Sequence, residues 1–338
     1  MTVESAVDAR AQVLAEITAG ERFVLVTHVN PDGDALGSLV AMHNVLRALG
    51  KDSVMFMAAD EFPLPYEYRF FAFDGLVSIP PADIAERTII FLDCGNIDRL
   101  GESVFKDDGR HILNIDHHHD NTRFGSVNLV VEDASCTAEI VWDLMRALAV
   151  DVTPAIADAL YVGLVTDTGK FMYENTGTRA HIMAAELVAA GVGVHEIYRR
   201  LYEDMPYAKL SLLARGLTNV QRFDDGALTC SFLSRDDFSA AEAEESYSEG
   251  IIDHLRSVAG TKVAALSREL LDPDRSGVRK VSLRATDGEV DVSAIARAGG
   301  GGGHRQAAGF TTELSPPELV EFLRHEVAAQ LGRPDPTR

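Results

Sequence analysis

Cysteine is scarce in this 338-residue chain, whose three cysteines, Cys94, Cys136 and Cys230, lie far apart in the sequence. Their scatter argues against a disulfide framework and against a zinc cluster, because both need grouped thiols. Basic residues are few as well: 31 Lys and Arg stand against 52 Asp and Glu, which gives a net charge of −21. A long nucleic-acid groove needs a basic surface, so we expect no long duplex as a partner.

Long hydrophobic runs are also lacking, since no apolar stretch approaches the roughly 20 residues of a membrane-spanning helix. The amino terminus, MTVESAVDARAQVLAEI, has neither the basic start nor the apolar stretch of a signal peptide. Its spacing is that of an amphipathic helix. We therefore expect no membrane association and a cytoplasmic location. The composition, 46% hydrophobic and 25% charged, is that of a globular protein long enough for two domains.

Predicted strands and helices alternate over residues 1–195. Apolar runs rich in β-branched residues indicate strands at 23–28, 53–58, 88–93 and 111–116. Helical spacing follows at 35–50, 136–148, 154–168 and 178–191. This alternation predicts an α/β domain with a doubly wound, mostly parallel sheet, which binds its ligands at the carboxyl ends of the strands.

The pattern changes after residue 195. Residues 196–222 are predicted to form a helical linker, broken at Pro206. Residues 223–331 contain three runs of strand-like alternation, at 227–234, 262–270 and 279–286, and helical spacing at 291–298 and 315–331. We expect a smaller α+β domain here, followed by a frayed tail at 332–338.

Acidic residues and histidines occur in order along the first domain, each where an apolar run ends. They are His28, Asp32, Asp34, Asp93, Asp116, His117, His118, His119 and Asp167. Gly33, between two of the aspartates, lets the backbone bend so that both carboxylates can enter one pocket. Carboxylates and imidazoles gathered at strand ends are suited to two hard metal ions, which can activate water and orient a phosphate. The absence of thiolates favours Mn²⁺ or Mg²⁺ over a structural Zn²⁺.

Other readings of single residues stay open. Any one aspartate at the end of a strand could equally be the N-cap of a helix. Three histidines follow Asp116, so the sequence leaves open which imidazoles bind metal; the register after the strand favours His117. His119, the last of the three, could be a solvated neighbour. The metal interpretation depends on the order and spacing of the whole set.

These motifs resemble those of the DHH phosphoesterase superfamily, which is named for the sequence Asp-His-His at residues 116–118. The resemblance covers all four motifs of that superfamily and implies two Mn²⁺ per chain, with Mg²⁺ or Co²⁺ as substitutes. One ion would be held by His28, Asp32 and Asp93. The other would be held by Asp34, Asp93, His117 and Asp167, with Asp93 as the bridge.

The same resemblance implies the catalytic residues. His118 would contact the scissile phosphate, and Asp93 would act through both metal ions. Asp116 would support the site without binding a metal ion directly. One departure is the sequence DHHH in place of a lone DHH.

A glycine run, Gly299 to Gly303, precedes His304 and Arg305 in the second domain. Consecutive glycines let the backbone approach a ligand and leave N–H groups for anionic oxygen. A flexible linker is the alternative. The stretch resembles the DHHA1 domain, whose glycine-histidine loop clamps nucleotide phosphate and sugar. The substrate contacts expected on this basis are Arg284, Ser293, Arg297, Gly301, Gly302, Gly303 and His304.

The two domains together resemble the nanoRNase/pAp-phosphatase group. This resemblance implies hydrolysis of short oligoribonucleotides, of cyclic di-AMP and pApA, and of 3′-phosphoadenosine 5′-phosphate to mononucleotides such as AMP. It also implies a homodimer. Two alternatives remain: a manganese pyrophosphatase or exopolyphosphatase of the same superfamily, whose second domain resembles a different type, and a non-catalytic nucleotide sensor, for which a lost ligand would be the sign.

Overall fold

The computed structural model describes residues 3–62, 64–97, 105, 109–303 and 305–334, and the chain divides into two compact units, Met1–Asp204 and Met205–Arg338. The division lies within the predicted linker at 196–222. The domain boundaries given above stay predictions.

The first unit is built on a six-stranded sheet in which all the strands are parallel. Its strands are β1 (Arg22–Val26), β2 (Asp52–Phe56), β3 (Leu76–Val77), β4 (Thr88–Leu92), β5 (Ile112–Asp116) and β6 (Val127–Val130). The spatial order is β3-β2-β1-β4-β5-β6, with β1 and β4 at the centre. The predicted α/β class and parallel sheet are confirmed. The edge strands β3 and β6 were not predicted, because they are short and lack a clear alternation.

In the described part of this unit the α-helices are α1 (Val3–Ala19), α2 (Gly33–Ala48), α3 (Thr137–Ala147), α4 (Pro154–Asp167), α5 (Thr178–Ala189) and α6 (Val194–Tyr202). Local chemistry fixes where they begin. Asp32 caps α2 by accepting the backbone N–H groups of Asp34 and Ala35, and Thr153 caps α4 ahead of Pro154. Within the described residues no single helix is long and apolar enough to cross a bilayer. Helices α5 and α6 reach that length and composition only when they are taken together, and the break between them bends the pair by 112°.

Helices α2 and α4 approach each other closely at two glycines. A Cβ at Gly37 would collide with the carbonyl oxygen of Ala159 and lie 2.9 Å from the nitrogen of Gly163. A Cβ at Gly163 would lie 2.8 Å from the Asp34 carboxylate. Since α2 starts and α4 ends with acidic residues, this close packing brings two candidate ligand helices together.

The second unit contains a mixed six-stranded sheet with the order β11-β12-β10-β9-β8-β7. Its strands are β7 (Gln221–Phe223), β8 (Leu228–Leu233), β9 (Val263–Glu269), β10 (Arg279–Ala285), β11 (Gly302–Gly303) and β12 (Ala307–Thr312). Only β8 and β9 run parallel. Its helices are α7 (Tyr207–Thr218), α8 (Arg235–Ala241), α9 (Ile251–Arg256), α10 (Val292–Ala298) and α11 (Pro316–Gln330). The predicted α+β class is confirmed, and the predicted break at Pro206 separates α6 from α7.

We predict that Gly37→Ala destabilises the first unit, because the added methyl group would push α2 away from the α4 backbone. Overpacking of this kind costs about 1–3 kcal/mol. Gly288→Ala, at an exposed turn of the second unit, is the control, since its added Cβ meets no atom within 4 Å and its backbone is not left-handed; we expect about 0.5 kcal/mol or less. Urea unfolding measures both. Equal effects at the two sites would contradict the close-packing argument.

Candidate metal centre

The central strands end side by side, and the residues that follow them converge. Strand β1 ends two residues before His28, and β4 ends immediately before Asp93. Strand β5 ends at Asp116, so His117 begins the next loop. Because β1, β4 and β5 are neighbours in a parallel sheet, their carboxyl ends share one edge. His28 and Asp93 are buried there, with relative exposures of 5% and 2%.

The candidate ligand atoms form three overlapping groups, and within each group all the atoms lie within 4.8 Å of one another. The groups are His28, Asp32 and Asp93; Asp34, His117 and Asp167; and Asp93, His117 and His118. All six residues predicted to bind metal are therefore brought together, and Asp93 belongs to two groups. Carboxylate oxygens with imidazole nitrogens and no thiolate suit hard or borderline divalent ions. The residues present thus fit a metal ion, while its identity and number stay predictions.

His28 is oriented for such a role by its own backbone. Its Nδ1 lies 2.8 Å from the carbonyl oxygen of Val29, which fixes the proton on that nitrogen. The other nitrogen, Nε2, faces Asp93 at 3.6 Å from Oδ2. A hydrogen bond of this kind from the non-coordinating nitrogen is typical of metal-binding histidines.

Asp93 lies at the centre of the arrangement in a left-handed backbone conformation, with φ of 57°. Its Oδ1 lies 3.7 Å from His117 Nε2 and 3.6 Å from His118 Nδ1. Burial opposes its ionisation, but the neighbouring imidazoles of His28, His118 and His117 outweigh burial and lower its pKa. Left-handed backbone at a non-glycine residue costs energy and is found preferentially at functional sites.

The pKa values of Asp34 and Asp167 are raised, in contrast to that of Asp93. Asp34 is buried and accepts the N–H groups of Thr137 and Ala138 at 2.7 and 2.9 Å. Burial, followed by repulsion from Asp93, Asp167 and Asp32, raises its pKa well above the usual value. Burial also raises the pKa of Asp167 to about 7, with repulsion from Asp93 and Asp32 in the same direction and His117 opposing it. These carboxyls thus need a cation to be ionised together.

His118 is held by a chain of hydrogen bonds behind the candidate ligands. Its Nδ1 donates to Asp116 Oδ1 at 2.8 Å, and Asp116 Oδ2 accepts from the Asn121 amide at 2.5 Å. Asn121 also donates to the buried Asn114 Oδ1 at 2.9 Å. The chain fixes the tautomer and the ring orientation of His118. Asp116 is thus hydrogen-bonded to both His118 and Asn121, and its supporting role stays a prediction.

Several supporting residues were not identified from the sequence. Thr137 Oγ1 donates to Asp93 Oδ1 at 3.0 Å, and Asn175 Nδ2 donates to Asp167 Oδ2 at 3.2 Å. Neither follows a predicted strand, which was the signal used above. Asn121 could have been found, because it lies five residues after Asp116 in the same loop.

The residues predicted to contact substrate lie on the second unit. Arg284 is on β10, and Ser293 and Arg297 are on α10. Ser293 is buried; its hydroxyl donates to Asp291 at 2.5 Å and accepts from Arg297 at 3.0 Å. Gly301, Gly302 and Gly303 are exposed, while His304 lies outside the described residues. Their roles in binding stay predictions.

The glycines of this run are not equivalent. A Cβ at Gly301 would collide with the carbonyl oxygen of Gly309, and one at Gly303, where φ is 138°, would lie 2.5 Å from the Cα of Ala308. A Cβ at Gly302 would meet no atom within 4 Å. Gly301 and Gly303 are therefore required by packing against β12. Gly302 is not, so its absent side chain leaves a ligand free to approach the backbone.

We predict that the metal-free protein loses stability as the pH rises from about 4 to about 7. Asp167 has an ordinary pKa of 3.8 in the unfolded chain and about 7 in the fold, so the folded protein binds more protons in this window. Asp34 acts in the same direction. Asp93, with a lowered pKa, adds stability that is lost only below this window.

Thermal unfolding across this pH range tests the prediction. Asp167→Asn should flatten the decline, since the amide does not titrate, and Mn²⁺ should offset it by binding the ionised carboxylates. An unchanged slope in Asp167→Asn would mean that a different group controls it.

Two family models match the chain. The DHH family N-terminal domain matches residues 22–164, and the DHHA1 domain matches residues 229–332. The first range contains β1 to β6 with the loops of His28, Asp93 and His117. The second contains the glycine run. The resemblance drawn from the sequence motifs is confirmed.

Relatives match this chain over most of its length. A bifunctional oligoribonuclease and PAP phosphatase of Thermus thermophilus is 36% identical over 91% of this chain and 90% of its own. One from Bacillus subtilis is 24% identical over 89% and 92%. The crystal structure of an exopolyphosphatase-related protein from Bacteroides fragilis superposes with a TM-score of 0.83 at 22% identity, covering 96% of this chain and 97% of that one, which shows a common fold. The chain belongs to the DHH–DHHA1 family that includes the bifunctional oligoribonucleases and PAP phosphatases.

Proposed function

We propose that this protein is a metal-dependent hydrolase of small nucleotide phosphoesters that releases mononucleotides such as AMP. The observation that carries the proposal is the pair of ligand groups that meet at Asp93 on the carboxyl edge of the parallel sheet. The names of its relatives, which are hydrolases of oligoribonucleotides and of PAP, support the substrate class. Short oligoribonucleotides and 3′-phosphoadenosine 5′-phosphate are therefore the first substrates proposed.

We propose two Mn²⁺ per chain. His28, Asp32 and Asp93 would hold one ion, and Asp34, Asp93, His117 and Asp167 would hold the other. When bound, a pair of divalent ions supplies an activated water and offsets the charge of a phosphate. Binding would also offset the burial and the repulsion that together raise the pKa of Asp34 and Asp167. The unfavourable electrostatics of the carboxylate cluster would therefore increase its affinity for cations.

His118 is the proposed catalytic contact to the phosphate. Its Nδ1 donates to Asp116, and Nε2, when it is also protonated, would donate to a phosphoryl oxygen. An imidazole held in one orientation can stabilise developing negative charge without reorganising during the reaction. Asp116 and Asn121 would act by positioning that ring. Thr137 would act similarly on Asp93.

The finer substrate range is also a proposal. Cyclic di-AMP and pApA would join the substrates, with Arg284, Ser293, Arg297, the glycine run and His304 as contacts. The net charge of −21 supports small substrates over a long duplex. Cytoplasmic location and a homodimer, both implied by the family resemblance, stay predictions.

Product analysis with Mn²⁺ tests the proposed function. We expect AMP from pApA, cyclic di-AMP, a five-residue RNA and 3′-phosphoadenosine 5′-phosphate, and none from an Asp93→Asn variant that lacks the shared carboxylate. The loss should exceed about 100-fold, because one substitution alters both ligand groups. Thr137→Val, which removes only a hydrogen bond to Asp93, should cost much less. Hydrolysis of pyrophosphate alone would overturn the nucleotide assignment and favour a pyrophosphatase.

The glycine run offers a second test with a matched pair of variants. Gly302→Ala adds a methyl group in open space, so we expect normal thermal stability with a KM for pApA raised about 10-fold. Gly301→Ala should lower stability by about 1–3 kcal/mol, since its methyl group collides with β12. An unchanged KM in Gly302→Ala would remove the glycine run from the proposed substrate contacts.

A further inference from the structure

The loop after Asp167 has an unusual backbone. Gly169, Lys170 and Phe171 all have positive φ, of 55°, 63° and 65°. Glycine adopts this conformation readily, but consecutive left-handed residues with long or bulky side chains are rare and costly. Such strain persists only where the surrounding structure fixes it, and it clusters at ligand-binding sites. We call residues 169–174 the strained loop.

Hydrogen bonds tie the strained loop to the end of α4. The N–H of Lys170 donates to the carbonyl oxygen of Val165 at 2.8 Å. The N–H of Phe171 reaches Thr168 Oγ1 at 3.2 Å, and that of Tyr173 reaches the Thr168 carbonyl oxygen at 3.0 Å. Beyond the loop, Asn175 bonds the Asp167 carboxylate. The loop is therefore anchored directly beside a candidate metal ligand.

The strained turn exposes two large side chains next to this ligand. Met172 is 81% exposed and Tyr173 is 55% exposed. The Tyr173 ring is not loose, because it lies over Gly169, where an added Cβ would be 2.6 Å from ring atom Cε1. An exposed aromatic ring that is already held in place loses little further conformational entropy when a ligand binds to it.

Other tyrosines continue from the strained loop toward the turn that carries Asp32 and Asp34. Tyr202 is close to Tyr173; burial first, and then its tyrosine neighbours, raise its pKa to about 12. The Lys170 ammonium lies 4.5 Å from the centre of the Tyr202 ring. Tyr68, which is near Tyr202, lies beside the backbone of Gly33 and close to Asp32. Aromatic rings thus border the candidate metal centre from Gly33 to Tyr173.

We propose that Tyr173, flanked by Met172, is a stacking platform for the base of the nucleotide whose phosphate lies at the candidate metal centre. The inference rests on the proposed function. A base is separated from its phosphate by one sugar, so its contact must lie beside the acidic residues, as the strained loop does. Aromatic stacking accepts any base because every base has a flat face, which suits an enzyme that acts on mixed short RNA. Tyr173 is then a specificity-determining residue for nucleotides over simple phosphate esters.

Abasic substrates separate stacking from catalysis. Hydrolysis of pApA is compared with that of two analogues that lack either the 5′ or the 3′ base, using wild type, Tyr173→Ala and Tyr173→Phe. Tyr207→Ala is the matched control, because Tyr207 is likewise an exposed tyrosine, at 83%, and is not among the proposed substrate contacts. Binding of a non-hydrolysable phosphorothioate dinucleotide, measured by calorimetry, gives a readout without turnover.

We expect Tyr173→Ala to raise both KM and Kd for the full dinucleotide about 10-fold, the loss of one stacked base. One abasic analogue should bind wild type and Tyr173→Ala equally, which identifies the base that stacks. Tyr173→Phe should behave as wild type, since it keeps the ring, and Tyr207→Ala should change nothing.

Equal losses on the full and both abasic substrates would overturn the platform and leave Tyr173 a structural role. Loss in Tyr173→Phe as well would assign the effect to the hydroxyl group and also overturn it. A smaller particle mass in Tyr173→Ala, with unchanged Kd, would mean that the exposed pair meets a second copy of the chain. If wild type hydrolyses no nucleotide, the proposed function itself fails, a result distinct from hydrolysis that is indifferent to Tyr173.

Discussion

Four aspartates lie close together at the carboxyl edge of the parallel sheet. The packing of the first unit has to hold their carboxylates in place against their mutual repulsion. Asp34 and Asp93 are almost wholly buried, and Asp32 and Asp167 are close enough to raise the pKa of Asp34. A buried carboxylate without a compensating charge is costly. The fold supplies partial compensation through backbone N–H groups, Thr137 and three imidazoles, and the remaining deficit is the physical reason to expect a cation.

The rest of the first unit holds this pocket together. Close approach of α2 and α4 at Gly37 and Gly163 brings the start of one helix next to the end of the other. The left-handed backbone at Asp93 turns its carboxylate toward His28, His117 and His118. Stability and function compete here, because the close helix approach tolerates no larger side chain and the left-handed backbone costs conformational energy. Their common result is a rigid set of ligand atoms.

Charge is distributed so that small anionic substrates can still be bound by an acidic protein. The pocket of carboxylates becomes attractive to phosphate only when cations fill it. In the proposed function, aromatic and glycine surfaces would then provide contacts that need no net positive charge: stacking at Tyr173 and backbone N–H groups in the glycine run. Such contacts recognise the parts of a nucleotide that a metal ion cannot, its base and its sugar-phosphate shape.

Sequence alone determined the α/β class, the parallel sheet and the six candidate ligands. Strand-like runs followed by Asp or His carry that information locally, and parallel strands must end at a common edge. The short strands β3 and β6 were missed because two to four residues hold too little periodicity. Only the tertiary structure decided which side chains support the ligands. Thr137 reaches Asp93, and Asn175 also bonds the carbonyl oxygen of Ser135, through contacts between segments that are distant in the sequence. The left-handed backbone at Asp93 and Phe171 depends on the surrounding structure, which no local pattern encodes.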